Sequence, residues 1–270
     1  RAGRPAYFSF VSTPRTTREY AYLDSAGPIA FAHRGGAAGG LENTMASFTR
    51  AAEAGYRYLE TDVQATADGR LAVFHDATLD RVTGRPGKIA QLPWSAVIQA
   101  KVGGVEPIPL LEVVLGAWPE LRFNIDAMSV AAAGPLIAAI RRTGALRRVC
   151  VTSFSDRRLR RIRAALGPQL CTALGPREVL RLRNASWWGG PGAGAPREGA
   201  CVQIPIRFGL TFADQRFVDH AHRCGLPVHV WTVDDPRTMN RLLDLGVDGI
   251  MTDRIGALRE VYQARGLWAA

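Results

Sequence analysis

Residues 28–54 read "PIAFAHRGGAAGGLENTMASFTRAAEA". The run Pro28–His33 is apolar and strand-like, and Thr44–Ala54 carries the apolar spacing of a helix. Between them, His33, Arg34 and Gly35 lead into five more small residues before Glu42, Asn43 and Thr44. Basic residues followed by glycines fit either a phosphate cradle or a plain strand-to-helix turn. Neither a GxxxxGK[ST] pattern nor a GxGxxG fingerprint is present, so the stretch is not a nucleotide cradle. It is one βα unit. Working outward, seven more β-rich runs follow: Tyr56–Val63, Leu121–Asp126, Arg148–Phe154, Gln169–Ala173, Ala200–Ile204, Leu226–Val233 and Val247–Thr252. Helix-period stretches lie between most of them, at Val130–Thr143, Asp156–Leu166, Asp214–Arg223, Pro236–Leu245 and Ile255–Arg265. Eight alternating units in ~250 residues predict a (β/α)8 TIM barrel.

Two segments break the rhythm. After the second strand, the turn Ala67-Asp68-Gly69-Arg70 leads into "LAVFHD", which predicts a hairpin. The loop and helix stretch beyond it makes a small insertion at about 77–118, within a barrel domain spanning 28–265. Residues 1–27 form an N-terminal extension. The second break, "NASWWGGPGAGAPREGA" at 184–200, predicts a surface loop carrying Trp187 and Trp188.

The chain of 270 residues is 47% apolar, enough for a large core and against extended disorder. No uninterrupted run of about 18 apolar residues indicates a membrane span. Lys and Arg exceed Asp and Glu by 34 to 24, and only Lys88 and Lys101 are lysines. The densest basic cluster includes Arg157, Arg158, Arg160, Arg161 and Arg163, on a helix where Leu159, Ile162 and Leu166 mark the buried face. The arginines then fall on a solvated exterior, and no aromatic residues interleave with them to stack bases, so no nucleic-acid partner is expected. Cys150, Cys171, Cys201 and Cys224 contain no CxxC pair, and three of them lie in apolar runs where a free thiol behaves as a small hydrophobe. No disulfide framework is expected, which makes the cytoplasm the default compartment.

In such a barrel the reactive groups lie at the C-terminal ends of strands. The first strand ends in His33-Arg34, and the second in "LETDV". Alternation along the strand turns Glu60 and Asp62 the same way, opposite to Leu59, Thr61 and Val63. Two inward carboxylates are costly to bury unless a cation neutralises them. The hairpin delivers His75-Asp76, and the third strand ends in "FNIDAM", where Asp126 adds a third carboxylate. Three carboxylates describe a hard-cation site for one divalent cation, Mg²⁺ or Ca²⁺. Two histidines at the same mouth supply a general acid and a general base near neutral pH. That combination serves displacement at a phosphodiester, where a cation and an arginine offset phosphoryl charge.

The motifs "HRGG…ENTMASF…AAEAGYRYLETDVQATADGRLAVFHDATLDRVTG", with "VHVWTVDD" and "LGVDGIMTDR" further on, resemble the signature of the glycerophosphodiester phosphodiesterase family. The resemblance covers roughly residues 28 to 260 and is densest over 31–84. It implies a (β/α)8 barrel that hydrolyses glycerophosphodiesters to an alcohol and glycerol 3-phosphate with a divalent cation. It also implies that His33 and His75 are the acid/base pair, that Glu60 and Asp62 bind metal, and that Arg34 contacts phosphate. Trp231 resembles the family tryptophan that walls the substrate pocket. Where the family commonly has Glu-x-Lys on the third strand, this chain has Asp126-Ala127-Met128. Aspartate keeps the charge and remains the third ligand, but methionine has no charge for the phosphate. Either an arginine compensates, Arg207 after the sixth strand being one candidate, or turnover is impaired and the chain is a phosphate-binding relative.

The remaining residues take blander expectations. Glu42 and Asn43 hold the turn, cap the helix near Thr44 and support the metal site from behind. His229 lies one layer below Trp231 as a satisfied core histidine. His220 and His222 lie near a helix C-terminus, where the dipole favours a cation. Gly249 and Asp253 read as barrel closure and helix start. The same site serves a lipid phosphodiester equally well, so lysophospholipase D or sphingomyelinase D-like activity is the rival expectation, with Trp187, Trp188 and the arginines against an anionic membrane surface.

Overall fold

A computed structural model describes residues 20–190, 192–196 and 198–268. Its central sheet contains eight parallel strands: β1 (Ile29–Ala32), β2 (Tyr58–Ala65), β3 (Arg122–Ala127), β4 (Val149–Thr152), β5 (Cys171–Thr172), β6 (Val202–Pro205), β7 (Val228–Trp231) and β8 (Gly249–Thr252). Hydrogen bonding orders them β5-β4-β3-β2-β1-β8-β7-β6. A parallel bridge between Ala173 and Cys201 joins the two edges and closes the barrel. Closure removes the exposed edges that an open sheet would carry. β2 is buried along its whole length, as a strand with both faces covered must be.

Helices alternate with the strands outside the barrel: α1 (Met45–Glu53), α2 (Leu111–Ala117), α3 (Ala133–Arg142), α4 (Asp156–Leu166), α5 (Pro176–Trp188), α6 (Gln215–Arg223), α7 (Pro236–Asp244) and α8 (Ile255–Ala264). Outward strand residues such as Leu59, Val63, Ile125 and Val151 meet Phe48, Leu136, Leu159 and Leu258 in one continuous core. The expected hairpin is present: Leu71–Val73 pairs antiparallel to β2. Between it and α2, Phe74, Leu79, Ile89, Val97 and Val102 bury a smaller core of their own. The expected N-terminal extension lies mostly outside the described residues, but Tyr22 is buried beneath the barrel against Tyr58, ring centroids 5.4 Å apart.

Two expectations are corrected. The segment 184–200 is not loop throughout, because α5 runs on to Trp188 and Trp187 stacks on the Arg183 guanidinium at 4.2 Å. Nor are the α4 arginines all on a solvated face. Arg163 donates to Thr172 Oγ1 at 2.9 Å and the Ala173 carbonyl at 2.9 Å, and Arg158 reaches back to Ser153 Oγ at 2.6 Å and the Ala127 carbonyl. Long arginine stems let the charge travel around a helix that periodicity alone places outside.

Candidate active site

The loop after β1 is shaped by backbone conformation more than by side-chain packing. Arg34 and Asn43 both occupy the left-handed region, with φ of 51° and 59°, and the Asn43 amide closes the loop on the Arg34 carbonyl at 2.9 Å. Gly35 has φ 78°, and a Cβ there would sit 2.5 Å from Ser47 Oγ. Its absent side chain therefore serves close packing on α1, and substrate approach does not explain it. Thr44 is the N-cap of α1, forming a reciprocal capping box with Ser47. That releases Glu42 and Asn43 from the capping expected of them.

Asn43 instead holds a carboxylate. Its Nδ2 donates to Asp62 Oδ2 at 2.9 Å, while its Oδ1 accepts from Thr61 Oγ1 at 2.8 Å. Asp62 lies beside Asp126 across the β2–β3 register. Glu60 Oε2 accepts from the Arg34 amide at 3.0 Å and lies 3.7 Å from His33 Nε2. All three carboxylates are buried. Burial, then the Asp62 charge, pushes the Glu60 carboxyl up, and the same two causes push Asp126 to about 7. Asp126 Oδ1 has no hydrogen-bond partner among the described residues. An all-oxygen donor set with a surplus of buried negative charge and an orphaned carboxylate oxygen fits a hard divalent cation.

The two histidines are oriented by carboxylates of different origin. His33 Nδ1 lies 2.6 Å from Asp253 Oδ1, at the end of β8. Burial works against a charged His33, but Glu60 and the Asp253 contact outweigh it and hold the ring at about 8. Asp253 was expected only to start a helix; its place just past a strand's C-terminal end is the signal that could have found it. His75 Nδ1 lies 2.5 Å from its neighbour Asp76. Arg81 then bonds Asp76 through Nε at 2.6 Å and Glu42 through both Nη at 2.9 and 2.6 Å. Glu42 in turn accepts from Arg34 Nη1 at 2.9 Å, and Arg34 Nε faces Asp62 Oδ2 at 3.2 Å as an ion pair without hydrogen-bond geometry. One chain of charges thus connects His75 to the carboxylate floor.

These groups line a cavity of about 410 Å³, within the usual range for small-molecule sites. His33, Arg34, Glu60, Asp62, His75, Asp126 and Trp231 all face it. Trp231 packs edge-on against Phe154, ring centroids 5.8 Å apart. Met128 lines it too, confirming an uncharged group beside Asp126. Arg207, one candidate for a compensating cation, is exposed in a small hairpin and does not line the cavity. The cation whose charge reaches Asp126 from that side is Arg158.

A parallel α/β barrel with carboxylates and histidines gathered at the C-terminal strand ends has the layout of an enzyme active site. The model of the glycerophosphoryl diester phosphodiesterase family matches residues 33–257, and the chain belongs to that family. Among its relatives, the probable glycerophosphodiester phosphodiesterase 2 of Mycobacterium tuberculosis is 40% identical over 251 residues, covering 92% of this chain and 95% of its own. The lysophospholipase D GDPD1 of Rattus norvegicus is 28% identical, with 84% of each chain covered. Two solved structures share the fold. A putative glycerophosphoryl diester phosphodiesterase of Silicibacter pomeroyi matches with TM-score 0.76 at 22% identity, over 93% of this chain and 100% of its own. An Oleispira antarctica phosphodiesterase, in complex with the product sn-glycerol-3-phosphate, matches with TM-score 0.72 at 23% identity, over 89% and 99%.

Proposed function

We propose that the chain hydrolyses glycerophosphodiesters to an alcohol and glycerol 3-phosphate, using His33 and His75 as its acid/base pair and a divalent cation, Mg²⁺ or Ca²⁺, held by Glu60, Asp62 and Asp126. The observation that carries this reading is the convergence of three buried carboxylates with two carboxylate-oriented histidines in one cavity. When bound, the cation supplies positive charge to the phosphoryl oxygens. Asn43 and the Arg34 amide fix Asp62 and Glu60, so that little reorganisation accompanies binding. Arg34 spends Nη1 and Nε on Glu42 and Asp62, which leaves Nη2 for a phosphate oxygen. With Nδ1 of each histidine committed to an aspartate, Nε2 is the nitrogen that exchanges protons. One ring takes the proton of the attacking nucleophile and the other protonates the leaving alkoxide. The four unpaired cysteines support the cytoplasmic placement.

A second reading rests on the other wall. Leu174, Val179, Leu180, Phe208 and Phe212 line the cavity with apolar surface, and Phe208 and Phe154 are 78% and 67% exposed at its rim. A glycerophosphodiester with a small polar alcohol leaves that surface uncovered; a lysophospholipid chain covers it.

The deciding experiment measures glycerol 3-phosphate and choline released from glycerophosphocholine and lysophosphatidylcholine with Mg²⁺, Ca²⁺ or a chelator. Glycerol 3-phosphate from the first substrate, lost with chelator, is expected. Turnover that persists in chelator overturns the cation site; choline from lysophosphatidylcholine alone transfers the assignment to the lipid; binding without product identifies a non-turning relative.

A further inference from the structure

Below the active-site floor, the barrel interior carries a second set of donors. Thr152, Ala173, Gln203 and Trp231 line the cavity, and each strand places another inward residue two positions earlier: Cys150, Cys171, Cys201 and His229. The Sγ atoms of the three cysteines all lie within 4.8 Å of one another, and Cys150 and Cys201 are 3.9 Å apart. Three thiolates around one ion at the Zn–S length of ≈ 2.3 Å stand about 3.8–4.0 Å apart. All three side chains are buried and none is in a disulfide.

Two orphaned polar atoms flank this cluster. His229 is fully buried, its ring reaches the Cys201 thiol, and its Nε2 has no hydrogen-bond partner among the described residues. The Tyr22 hydroxyl, 1% exposed, is also unpartnered and senses all three cysteines electrostatically. A buried polar atom left without a partner is costly, so two around one trio of thiols call for a ligand between them. Gly249 is what admits the histidine: a Cβ there would stand 2.9 Å from the His229 ring and 2.8 Å from Phe31.

We infer that Cys150, Cys171 and Cys201 hold a thiophilic d¹⁰ cation, Zn²⁺ being the chemical type, distinct from the carboxylate site above, and that His229, beside Cys201 but outside the trio of mutually close sulfurs, turns in to close the site. On binding, three S–H protons leave to solvent as three sulfur–metal bonds form, and His229 Nε2 gives its lone pair as the fourth donor. His229 Nδ1 lies 3.4 Å from the Gln203 amide, which is paired with the Asn124 amide across the barrel. Reversing both amides together preserves their mutual bonds and turns Gln203 Oε1 to accept from Nδ1–H, the outer contact a metal-bound histidine requires. The Tyr22 O–H donates to a thiolate and offsets the single net negative charge of the filled site. A site without an open position is structural: it ties β4, β5, β6 and β7 together where the short β5 and the Ala173–Cys201 bridge close the barrel.

The test loads reduced, chelator-stripped full chain with Cd²⁺ and with Co²⁺. One equivalent is expected to give sulfur-to-metal charge-transfer absorption and, with Co²⁺, the visible bands of a four-coordinate ion, retained after washing with a chelator that removes the carboxylate-bound cation. Cys171→Ser is expected to lose the charge-transfer band, His229→Gln to lose the four-coordinate Co²⁺ spectrum, and Cys224→Ala to keep both. Absence of any charge-transfer band in the folded wild-type chain overturns the site without reference to a variant. A band that survives Cys171→Ser, or disappears in Cys224→Ala, overturns it as well.

Discussion

The barrel interior divides into two levels that obey the same strand geometry and differ in every chemical respect. At the mouth, Glu60, Asp62 and Asp126 present oxygen, and their charge is met by Arg34 and, at Asp126, by Arg158, while Arg81 pairs with Glu42. One level down, the donors are three thiols among Phe31, Tyr22, Tyr58 and Met251, with the His229 imidazole beside Cys201. The Asn124–Gln203 amide pair, bonded at 2.8 and 3.3 Å, separates them. Alternation along a strand puts successive inward residues roughly 7 Å apart, so one set of strands can carry a hard-donor site above a soft-donor site without either interfering. The upper level requires external charge to be satisfied; the lower binds a cation by giving up thiol protons.

The strongest way to break this division is to remove the proton carriers of the upper level. His33→Ala and His75→Ala are each expected to lower kcat by about 10²–10⁴-fold. Steady-state assays beside an unchanged unfolding transition check it, and a loss below tenfold in either variant would remove that residue from the acid/base role. Asn43→Gly comes next, since glycine keeps the left-handed backbone while deleting the amide that holds Asp62. A 10–100-fold weakening of cation affinity is expected, read as the shift in activating metal concentration. If affinity holds, Asp62 is positioned by Arg34 alone.

Met128→Lys tests whether the upper level is short of positive charge. A charge-assisted hydrogen bond to phosphate is worth about 1.5–3 kcal/mol, hence roughly tenfold or more in kcat/KM for a glycerophosphodiester. An unchanged rate would show that Met128 costs the enzyme nothing. The lower level is sharpened by Tyr22→Phe, which deletes the orphaned hydroxyl. The metal-free chain is expected to gain about 1 kcal/mol or remain unchanged, and the Zn²⁺-loaded chain to lose a similar amount. Denaturant unfolding in both states measures it; equal effects in both would separate Tyr22 from the thiol site.

How much of this was legible in the sequence follows from which groups act through neighbours in the chain. The eight strands, the hairpin and the residues His33, Glu60, Asp62, His75 and Asp126 are readable because strand period and strand-end position are local properties. Asp253 was misread because its partner is 220 residues away, and only barrel closure brings β8 beside β1. The path from Asp76 through Arg81 and Glu42 to Arg34 is hidden for the same reason. The cysteines looked like separate small hydrophobes because each lies in its own strand, and no spacing rule reports a cluster assembled around a barrel circumference. His229 was expected to be satisfied, and its unpartnered Nε2 shows what burial inferred from pattern leaves out.

The smallest expected effect contrasts a buried histidine pair with an exposed one. His222 Nε2 lies 2.7 Å from Asp248 Oδ2, almost the separation of His33 and Asp253, yet both side chains are about two-fifths exposed, at 40% and 39%. The Asp248 hydrogen bond raises the His222 pKa above its ordinary value, so the pair's contribution is fully present below ~6.5 and is lost as pH rises through the folded-state value. Solvent screening limits it to about 0.5 kcal/mol or less. His222→Gln is therefore expected to lower the urea midpoint slightly at about pH 5.5, with the difference shrinking as pH rises toward about 8.5. Asp248 keeps its bond from the Val228 amide at 2.8 Å in the variant, so the strand is not disturbed. A loss of equal size at both pH values would mean that His222 acts through packing, and that the charge arithmetic separating exposed from buried histidines in this fold does not hold.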